Sequence, residues 1–530
     1  MTEQNSSRNH DQTATSSQVA NADPATNSAA DAGREPRPVT TRKQWAALGA
    51  LLLPVLLISV DNTVLSFAVP HLSEQLRPSG SRLLWIVDIY SLMLAGLLVT
   101  MGTLGDRIGR RRLLLTGAAG FGAASALAAF APNAELLIAA RALLGVAGAT
   151  LMPSTLSLIR NTFTDPRART TAIATWTATF AGGSAFGPLL GGLLLEHFWW
   201  GSVFLINLPV MVVLLAVGPA LIPESRNPRP GRYDLLGAGL SLAAMLALVL
   251  GIKELAGEGL TPLAAGSVVL AVVVGAVFVR RQRRLDNPML DLRLFADRRF
   301  SVAVSSNLLA VFVMVGALFF MTQYLQLVLG MSPLRAGIAL LPGIGLSVVG
   351  SLLAARLIRR VRLAELLGAA ILATALGYLL LVLLPVRDGG WIVVLAFMVV
   401  GLGAGVTETA TNDAILGSVP QANAGAASAI SETGYELGAA LGTAILGSTL
   451  TAAYRGGLDL TGIPRSMAEA AEDTLGGALA AAAELPAAQA ELVRESAFAA
   501  FTSGVHVTSV LGAVVLAYAA VQAWWILRRS

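Results

Sequence analysis

The sequence predicts an all-α polytopic membrane protein with fourteen transmembrane helices, and three observations predict it. The chain has 530 residues, of which 55% are hydrophobic and 13% charged, against about 25% charged in ordinary soluble domains. It contains fourteen apolar stretches, each near the roughly 20 residues that cross a bilayer as a helix. Its arginines fall in alternate loops between those stretches, as they do when one side of the protein faces the cytoplasm.

Residues 1–41 are rich in Ser, Thr, Asn, Asp, Ala and Pro without apolar period, the composition of a disordered tail. That stretch has no apolar core with a cleavage site, so it does not read as a signal peptide. The spans follow at about 45–69, 83–104, 113–131, 134–159, 170–194, 202–222, 234–253, 261–280, 300–326, 334–357, 363–384, 391–416, 424–450 and 505–527. They divide into a six-helix bundle (42–222), two inserted helices with a linker (223–299), and a second six-helix bundle (300–530). One side carries Thr41-Arg-Lys43, Gly102 to Arg112, Arg160 to Arg169, Glu224 to Arg232, Arg280 to Arg299, Arg359-Arg-Val-Arg362 and Arg528-Arg529. The other carries short, poorly basic turns such as Pro132-Asn133 and Arg387-Asp-Gly-Gly390. That phase places both termini in the cytoplasm. Scarce lysine and abundant alanine suggest a GC-rich bacterial genome, and with it a bacterial cytoplasmic membrane.

One loop on the far side is long, about 452–504. Ser466-Met-Ala-Glu469 has the spacing of a capping box that opens a helix, and Pro486 suits the start of a second short helix through Phe498. Together they predict an acidic helical hairpin over the outer mouth, most simply a solvated surface loop.

Composition also excludes functions. No cysteine is present, so disulfides, thiol catalysis and cysteine-bound metals are out. His10, His71, His197 and His506 are scattered, without metal-ligand spacing. The basic residues sit in short loops between spans rather than on one face, which is membrane topology and not nucleic-acid binding. Neither a nucleotide loop nor a nucleophile arrangement occurs, so the reading is of a non-enzyme that needs no cofactor.

The chemistry lies in charged residues inside apolar runs, where such groups are costly and mark pathways or pairs. Arg141 is inside span four. Asp61 is in span one, Asp88 in span two, and Glu432 and Glu436 in span thirteen, four apart and so on one helix face. At about 1.5 Å per residue, Asp61 is roughly 24 Å from the inner end of its span, which puts it at a depth where it can pair with Arg141. Glu432 and Glu436 fall about 12 and 18 Å from the inner side, around the midplane. Carboxylates there hold a proton or a cation, but not both well, which is the physical basis of proton-for-cation exchange. Glu408 and Asp413 sit toward the inner end of span twelve, with Asp413 within snorkelling reach of the surface. Trp85, Tyr90, Trp176, Phe180, Phe319, Phe320, Tyr324 and Tyr435 are candidates to wall a cavity for flat cations through cation–π contact.

Gly102-x-Leu104-Gly105-Asp106-Arg107-x-Gly109-Arg110-Arg111 resembles the signature loop of the major facilitator superfamily. Its glycines allow close approach of two helix ends, and Asp106 is placed to pair with an arginine across the bundle or to cap the next helix. A weaker echo without aspartate runs from Gly350 to Arg360, as expected of repeated bundles in secondary transporters. Gly183-x-x-x-Gly187-Pro188-x-x-Gly191-Gly192 resembles the motif of export-type members, with small residues four apart for tight helix contact. Asp61-Asn-Thr-Val-Leu-Ser-Phe-Ala-Val-Pro70 resembles the first-span motif of fourteen-span drug:proton antiporters, except that Ser66 stands where many members have asparagine. Asp88 stands where many have a neutral residue.

The resemblance covers about 42–529. It implies a monomeric, proton-driven multidrug exporter of small cationic or amphipathic molecules, such as quaternary ammonium compounds, dyes and in some cases fluoroquinolones. A dedicated antibiotic self-resistance exporter remains open beside it, as does, further off, a nutrient symporter.

Overall fold

The computed structural model describes residues 41–226, 234–285, 288–419, 424–461 and 463–528. Nearly all of the expected disordered tail, and the arginines of 227–232, lie outside the described residues. Fourteen helices are long and apolar enough to cross a bilayer. Spans one to six are Arg42–Gln75, Gly80–Ile108, Arg110–Ala129, Ala134–Thr162, Arg167–His197 and Ser202–Leu221; spans seven and eight are Leu235–Gly257 and Pro262–Arg284. Spans nine to fourteen are Arg298–Val328, Pro333–Leu357, Leu363–Leu383, Gly390–Gly417, Ala427–Gly457 and Ala487–Leu527. Order and number follow the apolar runs.

Polar residues start these helices where the apolar runs begin. Thr41 and Gln44 form a capping box at span one, and Ser79, Asn133, Asp165, Thr261 and Ser332 accept the first free backbone N–H groups of later spans. Within the first six spans, one packs on five and two on four; within the last six, ten and eleven pack on twelve and nine on thirteen. The inserted spans seven and eight pack on each other, and seven also lies against two.

The two six-helix groups meet chiefly at one end, opposite the loop Gly102 to Arg112. We call these the hairpin end and the basic end. At the hairpin end a Cβ on Gly192 would lie 2.6 Å from Cα of Leu334, and one on Gly337 would lie 2.6 Å from the Pro188 carbonyl oxygen. Nearby, the Thr322 hydroxyl donates to the Ser66 carbonyl at 3.0 Å and Gln326 to the Phe67 carbonyl at 3.3 Å. Deeper in span five, Gly183 and Gly187 back onto span one, where an added Cβ would run into Ser59 and Thr63. The export-type glycine string thus holds span five against span one along its length and against span ten at its end.

The long loop differs from expectation. Its first helix, Arg465–Asp473, begins with Pro464 as N-cap and no side-chain cap, so the expected capping box at Ser466 is not formed. Proline lacks a side-chain acceptor, and the helix starts two residues earlier than a cap at residue 466 would set it. A second helix, Leu475–Glu484, follows at once. The stretch after Pro486 is not a short separate helix: it runs unbroken as Ala487–Leu527, because Ala-rich sequence carries no stop signal before the apolar run. Nor is the hairpin simply a solvated loop. Leu475, Ala478 and Ala482 are buried, and Gly476 backs onto Ser73 of span one. Tyr454 donates to the Ala471 carbonyl at 2.9 Å, Arg455 pairs with Asp473 at 2.8 Å, and Arg77 with Glu484 at 3.2 Å. The hairpin therefore ties span thirteen to the ends of spans one and two.

At the basic end of the inserted pair, Asp234 caps span seven and binds Arg281 of span eight at 2.8 Å. Burial alone would raise the Asp234 carboxyl, but bonds from Arg281, the Gly237 N–H and Gln282 outweigh it and hold it below its ordinary value.

A glycine-packing test follows. Gly187→Val should lower the melting temperature of purified protein by the equivalent of about 1–3 kcal/mol through overpacking, while Gly182→Ala, where nothing lies within 4 Å, should leave it unchanged; thermal unfolding followed by tryptophan fluorescence reads both.

Candidate functional site

Span one carries Asp61 and span four carries Arg141 to the same depth, and the two meet at 2.6 Å with side chains 4% and 2% exposed. Arg141 also donates to the carbonyls of Ile86 at 3.2 Å and Val87 at 3.4 Å, and Tyr90 lies under its guanidinium at 4.7 Å. These bonds make the pair a strut between spans one, two and four.

Asp88 meets a partner the sequence reading did not assign. Lys253 of span seven donates to it at 3.0 Å, with both side chains fully buried. Its ammonium also stands 3.8 Å over the Trp85 ring. The other Asp88 oxygen is buried without a hydrogen-bond partner. A usable signal was present: Lys253 is one of two lysines in the chain and ends an apolar run. The helix continues to Gly257, which sets the lysine one turn deeper than a run that stops at 253 implies.

The glutamates of span thirteen have no counter-ion among the described residues. Both Glu436 oxygens and one Glu432 oxygen are buried without a formed hydrogen bond, although Ser91 and Asn62 lie beside Glu436. Glu408 and Glu436 both act electrostatically on Glu432, so spans twelve and thirteen form one acidic cluster. Asp413 is exposed.

A cavity of about 210 Å³ lies between the two six-helix groups. It runs from Leu65, Pro188 and Leu318, below the closure at the hairpin end, to Thr177, Ser351 and Glu408 in the basic half. Asp88, Arg141, Glu408 and Tyr435 line it; Asp61, Glu432 and Glu436 are not among its lining residues.

The expected aromatic wall reduces to two rings at the cavity, Phe180 and Tyr435, which meet edge to face at 6.1 Å from opposite groups. Trp176 stacks behind Phe180 at 6.4 Å and donates to Thr155. Trp85 and Tyr90 serve Lys253 and Arg141 instead. Phe319, Phe320 and Tyr324 are buried in the packing of span nine, where Tyr324 donates to the Pro385 carbonyl at 2.5 Å. Spacing along a helix does not give the direction of each ring, and these point away from the cavity.

The signature loop forms a tight cluster at the basic end. Gly102 packs by Pro153 and Gly105 by Leu113. Gly109 has φ +110°, and a Cβ there would lie 2.7 Å from the Glu224 carboxylate, so only glycine fits. Among the described residues Asp106 neither pairs across the bundle nor caps the next helix, which has no side-chain cap. Arg110, four residues on, holds it at 2.6 Å, because the turn at Gly109 brings that guanidinium within reach first. Arg111 donates its N–H to Glu224 at 3.0 Å and its guanidinium to the carbonyls of Pro219 and Ile222. Those bonds stay within the first six spans and the loop after them. Arg107 is on the exposed side of the same turn. In the echo at Gly350 to Arg360, Arg356, Arg359 and Arg360 are exposed.

Fourteen spans in two six-helix groups around a mostly apolar cavity, with buried acids beside it, are the architecture of a membrane transporter. Residues 51–443 match the family model of the Major Facilitator Superfamily, and the chain belongs to that superfamily. It is 51% identical over 492 residues to the multidrug efflux pump LfrA of Mycolicibacterium smegmatis, covering 92% of this chain and 98% of that one. It is 36% identical to the methyl viologen resistance protein SmvA of Salmonella typhimurium, covering 92% and 99%. It is 33% identical to the tetracenomycin C resistance and export protein of Streptomyces glaucescens, covering 90% and 91%. Among solved structures it resembles a bacterial homologue of the human lysosomal transporter Spinster, inward-facing and unoccupied, with TM-score 0.63 and 18% identity over 92% of this chain and 98% of that one.

Breaking the buried strut should be costly. Asp61→Asn leaves Arg141 charged and unpaired, with an expected loss of about 3–5 kcal/mol; Asp61→Asn with Arg141→Gln should recover most of the melting temperature, and a double-mutant thermal cycle measures the coupling.

Proposed function

We propose that this protein is a proton-coupled multidrug efflux antiporter that exports lipophilic cations by alternating access. The observation that carries the reading is the acidic cluster of Glu408, Glu432 and Glu436 beside a cavity between two helix groups, with no ion pair to any of the three among the described residues; Arg141, which acts electrostatically on Glu436, is already paired with Asp61. A positively charged guest supplies the missing charge, and protons do so when the guest leaves. The similarity to a multidrug efflux pump and to a methyl viologen resistance protein supports a small-molecule cationic substrate.

In this reading the basic end and both termini face the cytoplasm, in keeping with the arginine-rich loops, and the protein sits as a monomer in the cytoplasmic membrane. Closure at the hairpin end then makes this the inward-facing state. Substrate reaches the cavity from the cytoplasm or inner leaflet and stacks against Phe180 and Tyr435. The groups rock about the site, the hairpin end opens, and external protons displace the cation. The membrane potential contributes about 2.3 kcal/mol per charge per 100 mV.

A second reading, a dedicated self-resistance exporter for one antibiotic, is favoured by the relative named for tetracenomycin C; a panel of dyes, biguanides and antibiotics separates the two by breadth.

Ethidium efflux from cells expressing the protein should stop on addition of an uncoupler, and Glu432→Gln or Glu436→Gln should lower its rate at least tenfold; uncoupler-insensitive efflux would rule out proton drive. Asp106→Ala should slow efflux several-fold while leaving ethidium affinity nearly unchanged in a fluorescence titration, because its bond to Arg110 holds the turn and not the cavity.

A further inference from the structure

The Asp88–Lys253 pair is not needed to hold the first six spans together. Lys253 comes from the inserted pair, and it reaches the carboxylate of Asp88, a residue of the central cavity wall whose side chain is itself fully buried. On its other side, Lys253 lines a separate pocket of about 140 Å³ at the hairpin end, with Glu254, Glu258, Arg455 and Asp473. The buried pair therefore stands between two cavities, Asp88 among the residues of one wall and Lys253 among those of the other. Asp88 retains one buried oxygen without a partner, so the carboxylate is not saturated. Arg141, which lines the same cavity and acts electrostatically on Asp88, is bound to Asp61 and to the carbonyls of Ile86 and Val87.

We propose that Lys253 is a tethered competitor for Asp88: its ammonium occupies the carboxylate when no substrate is bound, and a cationic substrate in the central cavity displaces it. This deepens the antiporter reading and rests on it. Charge balance makes the displacement a proton step. A cation seated on Asp88 would leave the Lys253 ammonium buried without a counter-ion, a costly arrangement. The amine therefore releases one proton: an N–H bond breaks, the electron pair stays on Nζ, and the proton passes to water in the open central cavity. When the hairpin end opens, a proton taken up through the outer pocket re-forms the ammonium, which reclaims Asp88 and expels the substrate. Glu254 on the same helix, Glu258 just past its end, and Asp473 from the hairpin are the acids of that pocket; Arg455 is its other cation. The inserted pair of spans is thereby part of cation recognition.

The test compares Lys253→Met, Lys253→Arg and Asp88→Asn/Lys253→Met with wild type in detergent, titrating ethidium by fluorescence and counting protons released with a pH dye in weak buffer. Met removes the competitor, so ethidium should bind about tenfold tighter and release one fewer proton than wild type. Arg remains a permanent cation, so it should fold normally, bind ethidium at least tenfold more weakly and also lose that proton. The neutral double variant, which leaves no charge unpaired, should fold even where Met alone does not and should show the same missing proton. A pair that only holds helices together gives the opposite order, with Arg tolerated and Met damaged in binding, and all variants releasing the wild-type number of protons; that result overturns the proposal. Wild type that neither binds ethidium nor releases protons would instead refute the antiporter reading.

Discussion

Hydrocarbon does not tolerate an unbalanced charge, and the interior of this protein is arranged by that constraint. Asp61 is balanced by Arg141 and Asp88 by Lys253, while the cluster on spans twelve and thirteen has no protein cation of its own among the described residues. These three states of balance sort the acids by role. A carboxylate paired with an arginine that also binds two carbonyls has the contacts of a strut. One whose partner is a lysine on a peripheral helix, with an oxygen to spare, is held conditionally. A cluster with no counter-ion must share protons or take a cation, and it lies beside the cavity where a guest would sit.

The closure at the hairpin end has a different physical basis. Its ion pairs, Arg77 with Glu484 and Arg455 with Asp473, are at least partly exposed, and such pairs contribute at most about 1 kcal/mol each. Close backbone approach at Gly192 and Gly337 and the buried face of Leu475–Glu484 supply the rest. Packing of that kind is bistable: it is either made or broken over its whole area, without intermediate degrees of fit. The hairpin extends the closed surface from the second group onto the ends of spans one and two, so opening that end requires the hairpin to release them or move with them.

Much of this was legible in the sequence, for physical reasons that differ by feature. The spans could be counted because a bilayer demands uninterrupted apolar length, and the glutamates of span thirteen could be placed on one face because helical spacing is rigid. Asp61 and Arg141 could be matched by depth alone. Lys253 was missed because a lysine that ends an apolar run looks like a snorkelling terminus, and only the extra turn to Gly257 shows that it is buried. The aromatic wall was overdrawn for a related reason: position along a helix fixes a ring's height but not the neighbour that claims it, and Trp85 and Tyr90 were claimed by cations of the protein itself. The last span was drawn short because Glu491, Arg494 and Glu495 read as loop, although Glu495 reaches Arg387 at 3.2 Å in the helical extension beyond the membrane run.

The two buried bases in the first seven spans are not equivalent. A guanidinium keeps its proton under all conditions a cell offers, and its planar fork is suited to a fixed lattice of carbonyl and carboxylate acceptors; Arg141 has that lattice. An ammonium is a point charge on a flexible stem that exchanges its proton when its surroundings change. Lys253 has one carboxylate, one aromatic face and a polar pocket on its far side. Placing arginine where the strut must never yield, and lysine where the charge must come and go, gives a bundle that stays intact while its site changes occupancy. By that logic the two extra spans do more than lengthen the chain between halves: they bring to the site a cation that can be given up, which the first six spans do not contain.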